Sequence, residues 1–536
     1  MVIIQTRNLY YYVFVISALF QCFNCLVLRF VENGKASTFN YTRKGLTISL
    51  DDSDKCMPDI GCFSAGPPFF HPVHRPISLL PQDRDDVATA FLLYTRKNTH
   101  FFQFLRAGDV PSILNSNFLL ETETKIIIPG WIDNMKVSNW MQDMKDAFLN
   151  YRDCNVIIVD WTKTNGIPFA MAVANSRVVG AEVALLVNFL EDSFGVDPES
   201  FHIIGHSLGT EVAGYAGERI NRLGRITALD PAGPYFRNVS TVVRLDPSDA
   251  LFVDAIHGHS SDIDTDKPSR LEQTGHIDFY PNGGEHQPGC PDPAVKSFIK
   301  KGVLEVARNL VVCDHYRVID YFMATIPNHY GCRPVGVACD SWENFVAGKC
   351  SDCAVDGSQC ATMGFRADEK KDIIKQHPPR KFYLYTSAKS PFCVQQYHIS
   401  IKLRDTGWAV DNVGDMEIIL KGRFGSKTVN IDKRNVAINS GMIYRTIVHT
   451  PEDIDVRSIA FRWACASFKL SESIRITINP TAEGCKLFLH SVIVTTYTTS
   501  LTNPGKQLVI CGPNRPIPPN VYCNFKSELH CISDLY

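Results

Sequence analysis

Short apolar runs alternate with longer helical patterns between about residues 124 and 326. The apolar runs, typical of strands that are buried on both faces, are 125–128, 156–159, 201–204, 226–229 and 251–253. Between them, residues 173–194 and 210–223 show patterns that predict helices. Apolar strands interleaved with helices predict a mostly parallel sheet with both faces covered, and so an α/β fold.

The pattern changes after about residue 390 and becomes strict alternation of apolar and polar residues. Residues 397–403 show it most clearly, and similar runs recur at 459–463, 474–478 and 487–494. Alternation places the apolar residues on one face of a strand. We therefore predict an antiparallel β-sandwich of roughly 120 residues. The proline-bearing tail after Cys511 is predicted to be irregular.

Composition narrows the function classes. The 536 residues are 45% hydrophobic and 21% charged, close to average globular usage, which excludes collagen-like and wholly disordered chains. The formal net charge of -2 offers no basic footprint for a nucleic-acid partner. Length alone suggests about three domains at roughly 150 residues each.

Eighteen cysteines and the N-terminus indicate the secretory route. A reducing cytosol would keep so many thiols free, whereas secreted proteins pair them. Arg7 precedes an apolar run over residues 9–20, which predicts a signal peptide within residues 1–28, with an uncleaved signal anchor as the alternative. Two N-x-[ST] sequons, at Asn40 and Asn238, are consistent with glycosylation during secretion.

One motif points to chemistry. Gly205-His206-Ser207-Leu208-Gly209 fits G-x-S-x-G, follows a predicted strand and opens a predicted helix. In that context the glycines permit a sharp turn that exposes the serine hydroxyl. A serine hydroxyl is a weak nucleophile, so it needs a base and a group that orients the base.

The partners of Ser207 remain open on spacing alone. Asp230 ends a predicted strand before Pro231, which suits the acid, but three other aspartates are rivals by position: Asp246, Asp249 and Asp254. The histidines downstream that could act as the base are His257, His259, His276, His286, His315 and His329.

Four sequence blocks make the chain resemble the pancreatic triglyceride lipase family: residues 205–209, 224–232, 244–250 and 279–284. The resemblance implies an α/β-hydrolase domain followed by a PLAT-type β-sandwich. On this basis the predicted parts are a signal at 1–28, the hydrolase at 29–390, the sandwich at 391–512 and an irregular tail at 513–536. The resemblance also implies that Ser207 is the nucleophile, Asp230 the acid and His315 the base. His315 lies within the short block Cys313-Asp314-His315-Tyr316-Arg317.

The resemblance further implies an oxyanion hole built from the backbone N–H groups of Leu208 and Trp131. Here the chain departs from the family, because Pro129 stands where a histidine is usual before Gly130. Proline lacks an N–H and restricts its own φ, but the Trp131 donor is retained.

A structural calcium site is implied by the block at residues 244–250. Asp246 and Asp249 would supply side-chain oxygens, and Thr241 and Arg244 backbone carbonyls, as suits a hard cation. A solvated acidic turn is the alternative. No organic cofactor is expected.

Residues 291–312 form a predicted amphipathic lid between Cys290 and Cys313, which the resemblance implies are disulfide-bonded. An ordinary surface helix is the alternative. The other implied pairs are Cys56–Cys62, Cys339–Cys350, Cys353–Cys360 and Cys465–Cys485. Six further cysteines have no assigned pairing: Cys154, Cys332, Cys393, Cys511, Cys523 and Cys531.

Together these features predict a secreted serine lipase that hydrolyses carboxylic esters of acylglycerols at a lipid–water interface. The resemblance implies that a lid of this length, 22 residues, favours triacylglycerol, with phospholipase A1 or galactolipase activity as the alternative. A catalytically weak lipid-binding relative is a second alternative. The sandwich is expected to help seat the enzyme on lipid and could bind a colipase-like protein.

Overall fold

The computed structural model describes residues 54–133, 135, 139–260, 268–291, 304–327, 333–351, 353–405, 412–431, 436–465, 469–471, 474–475, 486–497 and 506–526, and short strands within residues 1–53. Most of the predicted signal peptide lies outside these residues, and so do Asn40, His329, Cys332, Cys485 and Cys531.

An 11-stranded mixed sheet forms the larger part of the fold. Its strands are β1 (Ala90–Tyr94), β2 (Gln103–Leu105), β3 (Thr124–Ile128), β4 (Asn155–Asp160), β5 (Phe201–His206), β6 (Arg225–Leu229), β7 (Phe252–Ile256), β8 (Ile277–Pro281), β9 (Val335–Ala338), β10 (Cys360–Thr362) and β11 (Arg380–Leu384). Their order is β2-β1-β4-β3-β5-β6-β7-β8-β11-β9-β10. The strands from β4 to β11 in this order pair in parallel, and antiparallel strands flank them at both edges. The five apolar runs predicted as strands lie in β3 to β7.

The helices are α1 (Arg84–Val87), α2 (Val110–Leu114), α3 (Trp140–Tyr151), α4 (Phe169–Phe194), α5 (Leu208–Gly217), α6 (Leu304–Thr325), α7 (Trp342–Val346) and α8 (Lys371–Ile374). Short 3-10 turns occupy Pro198–Ser200, Thr241–Val243, Pro247–Asp249 and Ala367–Lys370. The helix predicted over 210–223 is shorter than expected. After Gly217 the chain tightens into i→i−3 hydrogen bonds, as from Arg219 N to Ala216 O, and these end the helix.

Both faces of the sheet are buried, which explains why its central strands are rich in apolar residues on both faces. Ile126 and Ile128 of β3 belong to the core that includes residues of α4 and α5. Ile127, between them, belongs to the core on the other face with Phe148 of α3 and Phe322 of α6. Successive strand residues point to opposite faces, so each face needs its own apolar set.

Helix α4 is the single helix in the described part of the chain that is long and apolar enough to cross a membrane. Of its most apolar stretch, 83% is buried inside the fold. It ends at Gly195, whose left-handed φ of 68° caps the helix. Burial on this scale identifies α4 as a core helix.

Two antiparallel sheets follow. One has the order β16-β12-β18-β19 and the other β14-β13-β17-β20, with β15 paired to β13. The strands are β12 (Gln395–Leu403), β13 (Asn412–Gly422), β14 (Ser426–Asn430), β15 (Val436–Ile438), β16 (Ile443–Thr450), β17 (Val456–Cys465), β18 (Leu489–Tyr497), β19 (Lys506–Cys511) and β20 (Cys523–Lys526). Ile399 and Ile401 from one sheet share a core with Phe461 and Trp463 from the other. Of the run predicted at 474–478, only Ile474–Arg475 is a described strand.

The tail was predicted to be irregular, and this is wrong for its described part. Strand β20 pairs antiparallel with β17 and extends that sheet. Phe525 packs against the shared core, and Trp463 Nε1 donates to Ile517 O at 2.9 Å. The tail is ordered because it covers an open sheet edge and adds an apolar side chain to the core.

Four disulfide bonds join described cysteines: Cys56–Cys62, Cys290–Cys313, Cys339–Cys350 and Cys353–Cys360. Cys393 and Cys511 are disulfide-bonded as well. Cys154 and Cys523 are free. Burial raises the pKa of the Cys154 thiol to about 11, so this thiol is neutral and unreactive.

The remaining short strands pair as hairpins: Gln5–Thr6 with Leu9–Tyr10, Phe30–Glu32 with Lys35–Ser37, Tyr41–Thr42 with Gly45–Leu46, Lys55–Met57 with Gly61–Phe63, and Lys469–Ser471 with Ile474–Arg475.

Candidate active site

Ser207 occupies a strained turn between β5 and α5. Its φ of 54° and ψ of -120° lie in a region that side-chain-bearing residues rarely adopt. The flanking glycines are required, because a Cβ on Gly205 would lie 2.4 Å from Gly209 O. A Cβ on Gly209 would lie 2.3 Å from Ile128 O. The turn therefore holds Ser207 at the carboxyl end of the parallel strands, where sites in such sheets are built.

Asp230 follows β6 directly and is fully buried. Its Oδ2 accepts a hydrogen bond from His315 Nδ1 at 2.6 Å, and its Oδ1 accepts from Gly258 N at 2.7 Å and His259 N at 3.2 Å. Burial acts to raise the pKa of Asp230, but the hydrogen bond from His315 and its electrostatic attraction, with the other donors, hold that pKa well below its ordinary value. The carboxylate is therefore ionised and oriented toward His315.

His315 lies on α6, and its ring faces the turn that carries Ser207. The rings of His206 and His315 are 4.5 Å apart between centroids, and His206 Nε2 donates to His315 O at 3.2 Å. Burial and the nearby charge of His315 lower the pKa of His206, so His206 is neutral. His206 immediately precedes Ser207 and thus ties the backbone of His315 to the serine turn.

The rival acids and bases lie in other contacts. Asp254 Oδ1 accepts from Arg225 Nε at 2.8 Å, and His257 Nε2 is 2.8 Å from Asp278 Oδ1. His276 Nδ1 accepts from Val253 N at 3.0 Å. His286 Nδ1 lies 3.1 Å from Asp314 Oδ1. Within the described residues, the histidine whose ring nitrogen contacts Asp230 is His315.

The segment after β3 lies against the Ser207 turn. A Cβ on Gly130 would be 2.9 Å from Ser207 Cβ and 3.4 Å from Leu208 N, so only glycine fits there. This close approach places the backbone of Gly130, the residue before Trp131, beside the backbone N–H of Leu208. The Trp131 side chain is directed outward, 38% exposed, and its Nε1 donates to Gly166 O at 2.8 Å.

Asn165 fastens this segment, and no motif marked it in the sequence. Its Nδ2 donates to Gly130 O at 2.9 Å and to Asp133 O at 2.7 Å, while its O accepts from Ile132 N at 2.9 Å. Trp161 Nε1 donates to Pro129 O at 3.1 Å. These contacts hold the segment that begins at Pro129.

A second residue that the sequence did not mark is Ser269. Its hydroxyl donates to Asp230 Oδ2 at 2.6 Å and lies 3.2 Å from His315 Nδ1. Ser269 is 39 positions after Asp230 and 46 before His315, as counted along the chain. Only the tertiary fold brings these three groups together.

The acidic turn proposed from the sequence as a calcium site is tightly folded. Asp246 Oδ1 accepts from Ser248 N at 2.8 Å, and Asp249 Oδ2 accepts from Asp246 N at 2.9 Å. Burial, with the negative charges of Asp246 and Glu218 adding to it, raises the pKa of Asp249 to about 8. Arg244 N donates to Thr241 O at 3.1 Å. In the described part of the chain, no group of three or more His, Cys, Asp or Glu side chains is arranged to hold a metal ion.

The lid prediction lies mostly outside the described residues. Residues 292–303 are not described, and residues 304–312 form the first part of α6. Helix α6 runs without a break through Cys313 and His315, so the base lies within the helix rather than after a loop. The Cys290–Cys313 bond closes the segment two positions before His315.

The sequon residue Asn238 is exposed and lies in a left-handed backbone conformation at a turn.

Comparisons with known proteins agree with these observations. The sequence profile of the family described as Lipase matches residues 53–392. Human pancreatic triacylglycerol lipase is 36% identical over 88% of this chain and 96% of its own, and the pig enzyme is 37% identical over 77% and 90%. Human pancreatic lipase-related protein 2 is 35% identical over 82% and 93%. A coral 8R-lipoxygenase structure aligns over 25% of this chain and 17% of its own at 14% identity with a TM-score of 0.17, too low to bear on the fold. The family profile and the extent of these matches show that the chain belongs to the pancreatic lipase family.

Proposed function

We propose that the protein is a secreted triacylglycerol lipase that hydrolyses the carboxylic ester bonds of acylglycerols at a lipid–water interface. Ser207 is the nucleophile, His315 the general base and Asp230 the orienting acid. The observation that carries the proposal is the 2.6 Å contact between His315 Nδ1 and Asp230 Oδ2 beside the Ser207 turn. It supports a base whose proton is held on Nδ1, which leaves Nε2 free to accept the serine proton.

The reaction proceeds in two stages. His315 Nε2 takes the proton of Ser207 Oγ as the oxygen attacks the ester carbonyl, and Asp230 stabilises the imidazolium that forms. His315 then protonates the leaving glyceride oxygen, and an acyl-enzyme remains on Ser207. Water, activated by His315, hydrolyses the acyl-enzyme and releases the fatty acid.

The backbone N–H groups of Leu208 and Trp131 would stabilise the oxyanion. Two observations support this assignment: the close approach of Gly130 to Ser207 and Leu208, and the hydrogen bonds of Asn165 to the segment that contains Gly130 and Trp131. Each preorganised donor of this kind contributes about 2.7–4 kcal/mol to lowering the barrier. Preorganisation matters because no reorientation is needed when the charge develops.

Triacylglycerol is the proposed substrate because several relatives carry that activity in their names. The rival substrates are phospholipids and galactolipids, for a phospholipase A1 or galactolipase of the same family. The chain retains Ser207, Asp230 and His315, and this argues against a catalytically weak lipid-binding relative.

We assign residues 29–390 to an α/β-hydrolase domain and 391–512 to a PLAT-like sandwich, and the following segment, 513–536, adds strand β20 to one sheet of that sandwich. The serine turn at the carboxyl end of β5 supports the first assignment, and the two antiparallel sheets with a shared core support the second. The sandwich would seat the enzyme on lipid and could receive a colipase-like partner. The disulfides support secretion, with residues 1–28 as the signal peptide.

A structural calcium ion would be held by Asp246 and Asp249 with the carbonyls of Thr241 and Arg244. The donor chemistry suits calcium, since two carboxylates and two carbonyl oxygens are hard ligands. The raised pKa of Asp249 supports the assignment, because a buried cluster of acids gains from a bound cation. The ion would stabilise the turn and take no part in the chemistry.

The test compares the unmodified enzyme with Ser207→Ala on emulsified triolein, with phosphatidylcholine and galactolipid run in parallel. Ser193→Ala is the matched control, because Ser193 is exposed near the end of α4. We expect Ser207→Ala to abolish fatty acid release and Ser193→Ala to retain it. Equal turnover by the unmodified enzyme and Ser207→Ala would refute the nucleophile, and faster release from phosphatidylcholine than from triolein would refute the substrate.

A further inference from the structure

Ser269 is fully buried where segments following two strands meet. Its backbone forms an antiparallel bridge with Ala232, after β6, and a parallel bridge with Ser260, after β7. The next residue, Arg270, donates its N–H to Pro231 O at 3.1 Å. The hydroxyl of Ser269 is therefore held in position by backbone contacts on both sides.

That hydroxyl completes a three-group cluster. Ser269 Oγ and His315 Nδ1 each lie 2.6 Å from the same oxygen, Asp230 Oδ2, and are 3.2 Å from each other. The single hydroxyl hydrogen is donated to the carboxylate, so toward the imidazole Ser269 Oγ can only accept. Nδ1 thus faces two acceptors, and a proton on Nδ1 is favoured over one on Nε2.

We propose that Ser269 is a positioning residue for His315, acting by fixing the imidazole tautomer and by restraining the Asp230 carboxylate. The inference rests on the proposed function, because it needs His315 to be the base. Charge-assisted hydrogen bonds to a carboxylate are short and strong, and the 2.6 Å contact fits that class. Ser269 also takes up part of the carboxylate charge and so moderates how strongly Asp230 stabilises the imidazolium.

Arg270 explains why Ser269 is held so firmly. Arg270 Nη1 donates to the Glu211 carboxylate on α5, the helix that begins after Ser207, and to Ala232 O at 2.9 Å. Both side chains are fully buried. His257 Nδ1 donates to Arg270 O at 2.9 Å. The residue after Ser269 is thereby fastened to the helix of the nucleophile.

Removing either member of a buried ion pair leaves the other charge unpaired and destabilises the fold strongly. Variants of Arg270 or Glu211 would therefore confuse stability with catalysis. Ser269→Ala is the suitable variant, because it removes one hydroxyl and leaves the backbone bridges in place.

Ser260→Ala is the matched control. Ser260 Oγ lies 3.4 Å from Asp230 Oδ1, the other oxygen of the same carboxylate, which also accepts from two backbone N–H groups. Both variants remove a fully buried hydroxyl beside Asp230. They differ in that Ser269 also contacts the imidazole.

The readout is the pH profile of kcat/KM for a soluble ester, p-nitrophenyl butyrate, normalised to active sites counted by the acylation burst. Other titratable or charged groups face His315 or its neighbours and are the same in every variant: Asp133, His206, His259, His286, Asp314 and Tyr316. A change in the profile is then assigned to the substituted hydroxyl.

We expect Ser269→Ala to lower kcat/KM about tenfold, the size of one charge-assisted hydrogen bond. With the carboxylate charge no longer shared, the imidazolium is favoured, and the acidic limb moves up by about half a pH unit. Ser260→Ala should lower kcat/KM by a smaller factor and leave the limb in place. An unmoved limb in Ser269→Ala, or equal shifts in both variants, would overturn the inference alone. Turnover that persists in Ser207→Ala would overturn the proposed function and this inference with it.

Discussion

The hydrogen bonds of Asn165 provide the sharpest test of how residues 129–133, which we call the oxyanion segment, are held. Its amide donates to Gly130 O at 2.9 Å and to Asp133 O at 2.7 Å and is 3% exposed. Asn165→Leu keeps the volume but removes both donors. Each buried carbonyl left without a partner costs about 1–3 kcal/mol, so we expect a free energy of unfolding lower by about 2–6 kcal/mol.

The catalytic effect should be separate from the stability effect. Complete loss of one oxyanion donor lowers kcat by about 10²–10³-fold, and a displaced donor should cost part of that, about 10–100-fold. We expect kcat to fall by this factor with KM little changed, because the donor acts on the charge that develops in the transition state.

The assay measures kcat and KM on p-nitrophenyl butyrate per active site, with thermal unfolding recorded alongside. The control is Asn188→Leu, which removes a single bond from Asn188 Nδ2 to Arg219 O at 3.1 Å, away from the active site. It should lower stability slightly and leave kcat intact. A kcat per active site in Asn165→Leu equal to that of the unmodified enzyme would refute the idea that Asn165 positions the oxyanion segment.

Three further predictions concern Asp230, Gly130 and the acidic turn that contains Asp249. Asp230→Asn should lower kcat about 10⁴-fold, because an amide cannot hold the Nδ1–H tautomer, and burst kinetics that match the unmodified enzyme would contradict this. Gly130→Ala should reduce kcat by more than about tenfold, because its Cβ would lie 2.9 Å from Ser207 Cβ and force the segment away, and steady-state kinetics will measure it. The pKa of Asp249 is raised to about 8 in the folded protein, whereas it is about 3.9 in the unfolded chain. Below about pH 4 the buried carboxyl therefore does not lower the free energy of unfolding, and between about pH 4 and pH 8 it lowers that free energy progressively. Calcium should therefore raise the unfolding temperature more at pH 8.5 than at pH 5.5, and equal shifts at both pH values, or none, would count against the calcium site.

Local pattern was sufficient wherever the physical requirement was local. The five apolar runs that mark β3 to β7 were recognisable because a strand buried on both faces needs apolar residues on both. The G-x-S-x-G turn was recognisable because the steric need for Gly205 and Gly209 is set within a few residues of Ser207. The alternation after residue 390 indicated strands with one buried face, and β12, β17 and β18 have the expected pattern.

Long-range contacts were not recognisable in this way. Asp230 and His315 are 85 positions apart, and periodicity alone left six histidines as possible bases. The edge strand β20 was missed because its four residues gain stability only by pairing with β17. The pattern of a short strand carries little information when most of its stabilisation comes from the partner strand.

Residue patterns along the chain were enough to predict the strand–turn–helix that presents Ser207, the apolar layers of the central sheet and, through the motifs, the family. The contact of Ser269 and His315 with the same oxygen, Asp230 Oδ2, and the hydrogen bonds of Asn165 to the oxyanion segment became visible only in the folded chain. A serine and an asparagine without a motif are among the commonest polar residues of loops. They acquire a role only when folding buries them, because a buried hydroxyl or amide must find partners and then holds them at fixed distances.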